Sequence, residues 1–64
     1  MQKCVCICQP NDSFGLEGQE YDCEAIKENG DTSRYRIWPI GFLAGYYVVF
    51  SGREFEKHFK LIDQ

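Results

Sequence analysis

Hydrophobic and polar residues alternate along most of the chain, a period of two that indicates β-strands rather than helices. The alternation begins at residues 2–8, continues through "EYDCEAIKENGD" and returns in "SRYRIWPI". Residues 46–51, "YYVVFS", are aromatic or β-branched up to Ser51, the composition that strands favour. Together with a last short segment, "KLID", these stretches predict four to five short strands.

The segments between the predicted strands have the composition of turns. Residues 10–19 hold two glycines and a proline and form a loop, with Phe14 and Leu16 as candidate anchors into the core. Asn29 and Gly30 tolerate the positive φ angles of a tight hairpin turn. Pro39 cannot donate a ladder hydrogen bond and therefore belongs at a strand end or edge.

One short helix is predicted just before the last strand. Ser51 and Glu54 have the spacing of a capping box, in which each side chain binds a backbone N–H at the start of the helix. Phe55 and Phe59 follow four residues apart and so share one helix face. About two helical turns are expected.

The composition fits one domain over residues 1–64. A chain of this length buries only about 60% of the surface that its unfolded form exposes. Its 44% hydrophobic and 16% aromatic content makes an efficient core possible. The predicted fold is mainly β: a small barrel or strongly bent antiparallel sheet of four to five strands, with one short helix before the last strand.

The order of segments also resembles a known group of proteins. "CVCIC", a glycine-containing loop, "GQEYDCEAI", an aromatic strand and "FEKHFKLI" together resemble the small SH3-like β-barrel proteins encoded by phages and prophages. This resemblance covers nearly the whole chain. It implies a non-enzymatic accessory protein that acts on a host or phage protein in the bacterial cytoplasm.

Charge and hydropathy narrow the set of partners. Ten acidic residues against seven basic ones give a net charge of −3, which disfavours binding to phosphate backbones. The N-terminal apolar run is broken at Gln9 and Pro10, so a secretory signal is not expected. No segment approaches the roughly 20 apolar residues of a membrane span. We therefore expect a cytoplasmic protein without a membrane partner.

The four cysteines allow a metal, a redox or a purely structural interpretation. Zinc sites usually use pairs separated by two to four residues, whereas Cys4, Cys6 and Cys8 alternate along a strand. Cysteine is also among the most buried residue types. Small apolar core residues are therefore the favoured interpretation, with zinc binding as an alternative. A disulfide between Cys23 and the first strand would require an oxidising compartment.

No catalytic motif is present. His58 is the single histidine, and no nucleophile elbow, phosphate-binding loop or metalloprotease motif accompanies it. An exposed histidine one helical turn after Glu54 is the expected state. We predict no enzymatic activity, no cofactor and no small-molecule substrate.

The candidate binding residues lie on and after the third strand. Arginine and large aromatic side chains are enriched in protein-binding hot spots. The candidates are Arg34, Arg36, Trp38, Phe42 and Tyr47. The same residue types also cover sheets for purely structural reasons. The predicted function is interaction with a protein partner or a second copy, through an apolar patch with the two arginines at its rim. Nucleic-acid binding is the alternative.

Overall fold

The computed structural model describes residues 2–10 and 15–62, which form one antiparallel sheet of five strands. The strands are β1 (Gln2–Cys6), β2 (Glu20–Glu28), β3 (Asp31–Trp38), β4 (Val48–Ser51) and β5 (Phe59–Leu61). A helix α1 (Gly52–His58) precedes β5, and a 3₁₀ turn covers Phe42–Ala44. The strand order is β4-β3-β2-β1-β5. This confirms the predicted mainly β fold with a short helix before the last strand; the sheet is open.

The hairpin between β2 and β3 forms as its sequence predicts. Glu28 pairs with Asp31, which leaves a two-residue turn. Asn29 and Gly30 occupy this turn with φ angles of 53° and 84°, the positive values that favour an Asn-Gly pair. Pro39 follows the last residue of β3, in agreement with the predicted strand end.

The sheet has an apolar inner face and a polar outer face because side chains alternate along each strand. Cys23 pairs with Ile37, and Cys4 with both Tyr21 and Leu61, so the inner residues of neighbouring strands share one layer. The buried core consists of Cys4, Cys6, Tyr21, Cys23, Ile37, Phe55 and Phe59. Three cysteines therefore act as small apolar core residues, whereas Cys8 is exposed.

Helix α1 covers the inner face. The Ser51 hydroxyl accepts a hydrogen bond from the Glu54 N–H at 3.2 Å, which confirms the predicted N-cap. Phe55 stacks on Tyr35 with ring centroids 3.8 Å apart, and Phe59 lies 5.6 Å from Phe55. Burying side chains of this size contributes roughly 1.5–3 kcal/mol each. None of the described residues belongs to a helix long and apolar enough to span a membrane.

The loop between β1 and β2 is attached through its backbone. The prediction that Leu16 anchors it in the core is wrong, because Leu16 is 62% exposed; Phe14 lies outside the described residues. Instead, the Tyr21 hydroxyl accepts hydrogen bonds from the Gly15 and Leu16 N–H groups, and the Cys6 thiol donates to the Gly15 carbonyl at 2.8 Å. Hydrogen bonds to Tyr21 and Cys6 therefore hold the loop at Gly15 and Leu16.

Two strands are shorter than the sequence pattern predicts. The first strand ends at Cys6 rather than residue 8, because the N–H groups of Ile7 and Cys8 bind the His58 carbonyl. The aromatic stretch 46–51 is a strand only from Val48 onward. Tyr46 and Tyr47 precede it and are exposed.

Candidate functional site

Ion pairs cross the outer face of the sheet between neighbouring strands. The ammonium of Lys3 lies 2.6 Å from the Asp22 carboxylate. The guanidinium of Arg36 lies 2.7 Å from Glu24, directly opposite it in the register. Arg34 lies 3.0 Å from Glu28. Both arginines predicted to form a rim therefore already have carboxylate partners on β2.

Beside these ion pairs lies an aromatic cluster made of Trp38, Phe42 and Tyr47. The Trp38 ring meets Phe42 edge to face with centroids 5.2 Å apart, and it lies 5.7 Å from Tyr47. Trp38 is only 5% exposed, whereas Phe42 and Tyr47 are 48% and 45% exposed. Trp38, expected in the exposed patch, is therefore the buried floor of the cluster, because its two aromatic neighbours cover it.

The position of Phe42 depends on a contact with β2. The Asp22 carboxylate accepts a hydrogen bond from the Phe42 N–H at 3.0 Å. Gly45 closes the 3₁₀ turn with a left-handed φ of 78°, and its N–H donates to the Phe42 carbonyl. Glycine adopts this φ without the steric cost of a side chain. The "GFLAG" segment is thus a defined turn that holds one aromatic ring over Trp38.

The two arginines have different relations to the aromatic cluster. The guanidinium carbon of Arg36 lies 5.4 Å from the centre of the Tyr47 ring, within the range of a cation–π contact. Arg34 is four residues from Trp38 along β3, about 13 Å at 3.3 Å per residue. The structure therefore brings Arg36 together with the cluster and leaves Arg34 farther along the same face.

Three ionisable groups on the outer face, Lys3, Asp22 and Glu28, have pKa values shifted in the direction that favours their charged forms. The hydrogen bond from Lys3, together with the Phe42 N–H, lowers the pKa of Asp22. The same pair raises the pKa of Lys3. Hydrogen bonding from the Ser33 hydroxyl and the charge of Arg34 lower the pKa of Glu28. These ion pairs stay charged at neutral pH, so the face carries alternating, mutually compensated charges.

Further exposed apolar residues continue the surface of the aromatic cluster. Val49 lies opposite Arg36 on β4 and is 47% exposed. The other exposed residues of this stretch are Ile40, Leu43 and Tyr46. Sequence reasoning missed Val49 as a surface residue, because Val48, Val49 and Phe50 are all apolar and show no alternation. It also missed Asp22, whose contact with Phe42 joins residues 20 positions apart and leaves no local signature.

An open groove of about 300 Å³ adjoins the cluster. Trp38 and Ile40 line its apolar side, and the Lys3–Asp22 ion pair lines its polar side. Polar groups make up most of its lining, so it is an open cleft of mixed character beside the cluster. The groove extends the outer-face surface toward β1.

The cysteines do not converge on a metal position. Within residues 2–10 and 15–62, no three His, Cys, Asp or Glu side chains are placed to hold one metal ion. The hydrogen bond with the Cys23 thiol and burial raise the pKa of Cys4, and burial raises the pKa of Cys6. All four cysteines are free thiols.

His58 takes part in structural contacts. Its Nδ1 lies 2.8 Å from the Cys8 carbonyl oxygen, and its Nε2 lies 3.7 Å from the Glu54 carboxylate. The contact with Glu54 is the one expected from their spacing. These interactions join α1 to the chain that follows β1.

Comparison with protein-family models, curated proteins and solved structures gave no match to this chain.

Proposed function

We propose that this chain is a non-enzymatic protein-interaction module whose binding surface is centred on Phe42 and Tyr47. One observation carries the proposal: two half-exposed rings lie over a buried Trp38, Phe42 held there by a fixed turn and Tyr47 beside Arg36. Aromatic residues presented in a preorganised arrangement lose little conformational freedom on binding. They are also the residue types that dominate protein-binding hot spots.

The charges of the outer face favour a protein partner over nucleic acid. Arg34 and Arg36 are bonded to Glu28 and Glu24, so a phosphate would have to displace a carboxylate from either one. Nucleic-acid affinity arises mainly from free cationic groups and weakens steeply with salt. An apolar surface with compensated charges favours a partner that buries its own apolar side chains.

The resemblance to small SH3-like proteins of phages and prophages suggests a more specific function. We propose an SH3-like module encoded by a phage or prophage that acts on a host or phage protein in the bacterial cytoplasm. The strand order β4-β3-β2-β1-β5, with α1 between β4 and β5, is compatible with that resemblance.

The test is capture of a binding partner by matched variants. Tagged wild type, a Phe42→Ala/Tyr47→Ala double variant and an Ile7→Ala control are incubated with bacterial lysate. The control removes a side chain of 50% exposure that lies beside Phe55 and Phe59, away from the aromatic cluster. We expect wild type and control to retain the same protein and the double variant to lose it.

Once the partner is identified, each variant's dissociation constant is measured at several salt concentrations. If either ring is a hot spot, its removal costs about 2 kcal/mol, or roughly thirtyfold in affinity. Equal retention by the double variant would contradict the proposed surface. A steep loss of binding with salt, together with captured nucleic acid, would favour the alternative function.

A further inference from the structure

The two exposed rings of the aromatic cluster are held in different ways. Phe42 is fixed through its backbone, because its N–H donates a hydrogen bond to the Asp22 carboxylate. Tyr47 immediately precedes β4, and the β3–β4 ladder begins with the pair of Val48 and Ile37. The pairing of β4 with β3 therefore stops one residue short of Tyr47, so side-chain contacts are needed to hold its ring in place.

The guanidinium of Arg36 is a charged contact of the Tyr47 ring. Its central carbon lies 5.4 Å from the ring centre, where the electron-rich aromatic face attracts a cation. The same ring lies 5.7 Å from Trp38, and 45% of Tyr47 remains exposed. Tyr47 therefore contacts both Arg36 and Trp38 while about half of its surface stays available to a partner.

Arg36 is itself held by Glu24 on the neighbouring strand. The two residues are directly opposite each other in the β2–β3 register, and the guanidinium lies 2.7 Å from the carboxylate. The Glu24 carboxylate, and after it the Tyr47 side chain, raise the pKa of Arg36, which agrees with a guanidinium in contact with both. Because a guanidinium is a planar group with several fixed donor directions, it can bind a carboxylate and lie against a ring at the same time.

We propose that Glu24 is a positioning residue of the binding surface, which acts through Arg36 on the Tyr47 ring. Glu24 fixes the guanidinium, and the guanidinium keeps the ring against Trp38 in the orientation that a partner meets. This inference rests on the proposed function, since it specifies how one ring of that surface is preorganised. A ring that is already fixed loses less conformational freedom on binding. Arg36 therefore supports Tyr47 instead of contacting the partner at a rim.

The same two strands carry a second ion pair that serves as a matched control. Arg34 on β3 lies 3.0 Å from Glu28 on β2, and both side chains are about half-exposed. Within residues 2–10 and 15–62, the cation–π contact of an arginine with Tyr47 is made by Arg36 and not by Arg34. Removal of Glu28 therefore deletes one carboxylate and one cross-strand ion pair, as removal of Glu24 does, without affecting the support of Tyr47.

The experiment measures how well Tyr47 covers Trp38, the single tryptophan of the chain. Tryptophan fluorescence is quenched with acrylamide, a neutral reagent whose approach does not depend on the charge of the surface. The quenching constant of Tyr47→Ala gives the value for a Trp38 that has lost this cover. Glu24→Ala should shift the quenching constant from the wild-type value clearly toward that of Tyr47→Ala. Glu28→Ala should keep the wild-type constant, and thermal melts verify that every variant is folded.

Double variants test whether Glu24 acts through Arg36 and Tyr47 or loosens the sheet in general. In a Tyr47→Ala background, Glu24→Ala should not increase the quenching of Trp38 further, because the ring on which it acts is absent. The same should hold in an Arg36→Ala background, where the guanidinium is absent. An unchanged quenching constant in Glu24→Ala, an equal increase in Glu28→Ala or an additive increase in either background would each overturn the inference.

The outcome is separable from that of the proposed function, because quenching is measured on the free protein. If Glu24→Ala leaves Trp38 covered but the Phe42→Ala/Tyr47→Ala variant loses a captured protein, the positioning role is refuted and the interaction surface stands. If Glu24→Ala uncovers Trp38 as expected and the lysate yields no captured protein, the proposed function is refuted and the action of Glu24 on Tyr47 stands.

Discussion

The carboxylate of Asp22 accepts a hydrogen bond from the backbone N–H of Phe42 at 3.0 Å while it pairs with Lys3. Strand β2 thereby fixes the turn that presents one of the two exposed rings of the aromatic cluster. A residue on the polar side of the sheet thus controls the geometry of the apolar surface.

This relationship predicts acid sensitivity. The pKa of Asp22 is lowered in the folded protein, chiefly by Lys3 and then by the Phe42 N–H. The resulting stabilisation is complete above the ordinary aspartate pKa of about 3.9 and is lost as pH falls through the lower folded value. Asp22→Asn should be less stable than wild type at neutral pH, and the difference should shrink on acidification. Urea unfolding of both proteins from pH 7 to pH 2 measures this; parallel curves would contradict it.

Truncation of Trp38 should affect folding more than binding. Its ring is buried beneath Phe42 and Tyr47, so Trp38→Ala removes a large core side chain and should cost about 3–5 kcal/mol of the free energy of unfolding. Tyr47→Ala removes a half-exposed ring and should leave a folded chain. Thermal melts of the two variants beside wild type distinguish these effects. A Trp38→Ala protein that melts at the wild-type temperature would show that the ring is not part of the core.

The four thiols should react in two classes. Cys8 is exposed, whereas Cys4, Cys6 and Cys23 are buried. Thiolates are the reactive species, and the raised pKa of Cys4 and of Cys6 adds to their steric protection. Titration with a chromogenic disulfide reagent should label one thiol per chain rapidly and the remaining three only in denaturant. Rapid labelling of more than one thiol in the folded protein would contradict the buried core, and Cys8→Ser should abolish the rapid phase.

Gly15 should be intolerant of any side chain. A Cβ atom there would clash with the Pro10 ring, and the φ angle is +90°. Gly18 has a similar φ of +84° and open space around it, so it is a matched control. Gly18→Ala should cost about 1–2 kcal/mol from backbone strain alone. Gly15→Ala should cost about 1–3 kcal/mol more because of overpacking, as measured by urea unfolding. Equal losses would show that Pro10 moves aside.

Local patterns predicted those parts of the fold that depend on neighbouring residues. Alternation indicated the strands, Asn29-Gly30 the hairpin and Ser51 the helix start, because each signal lies within a few residues. The strand ends at Cys6 and Val48 were not predictable in this way. The end of β1 at Cys6 depends on the His58 carbonyl, which binds the next two N–H groups. The start of β4 at Val48 depends on pairing with Ile37 of β3. Both partners are distant in sequence from the strand ends that they determine.

The residue types of the candidate surface were predictable from the sequence, but the burial of each side chain was not. Arginine and aromatic residues at alternate positions of β3 indicated a shared face, and the structure places them there. Whether Trp38 is exposed depends on the path of "GFLAG", which Asp22 determines from another strand. For the same reason, the carboxylate partners of Arg34 and Arg36 emerged only once β2 and β3 were in register.

Strand β1 pairs with β2 on one side and with β5 on the other. One neighbour of β1, strand β2, is close to it in the chain. The other neighbour, β5, begins more than 50 residues later. During synthesis the β2–β3 hairpin is available early, whereas β1 remains an edge until residues 59–61 have emerged. Because contacts of such large sequence separation form slowly, we expect completion of the sheet to be the late, rate-limiting event of folding. The cysteines of β1 depend on that final step for their protection from solvent.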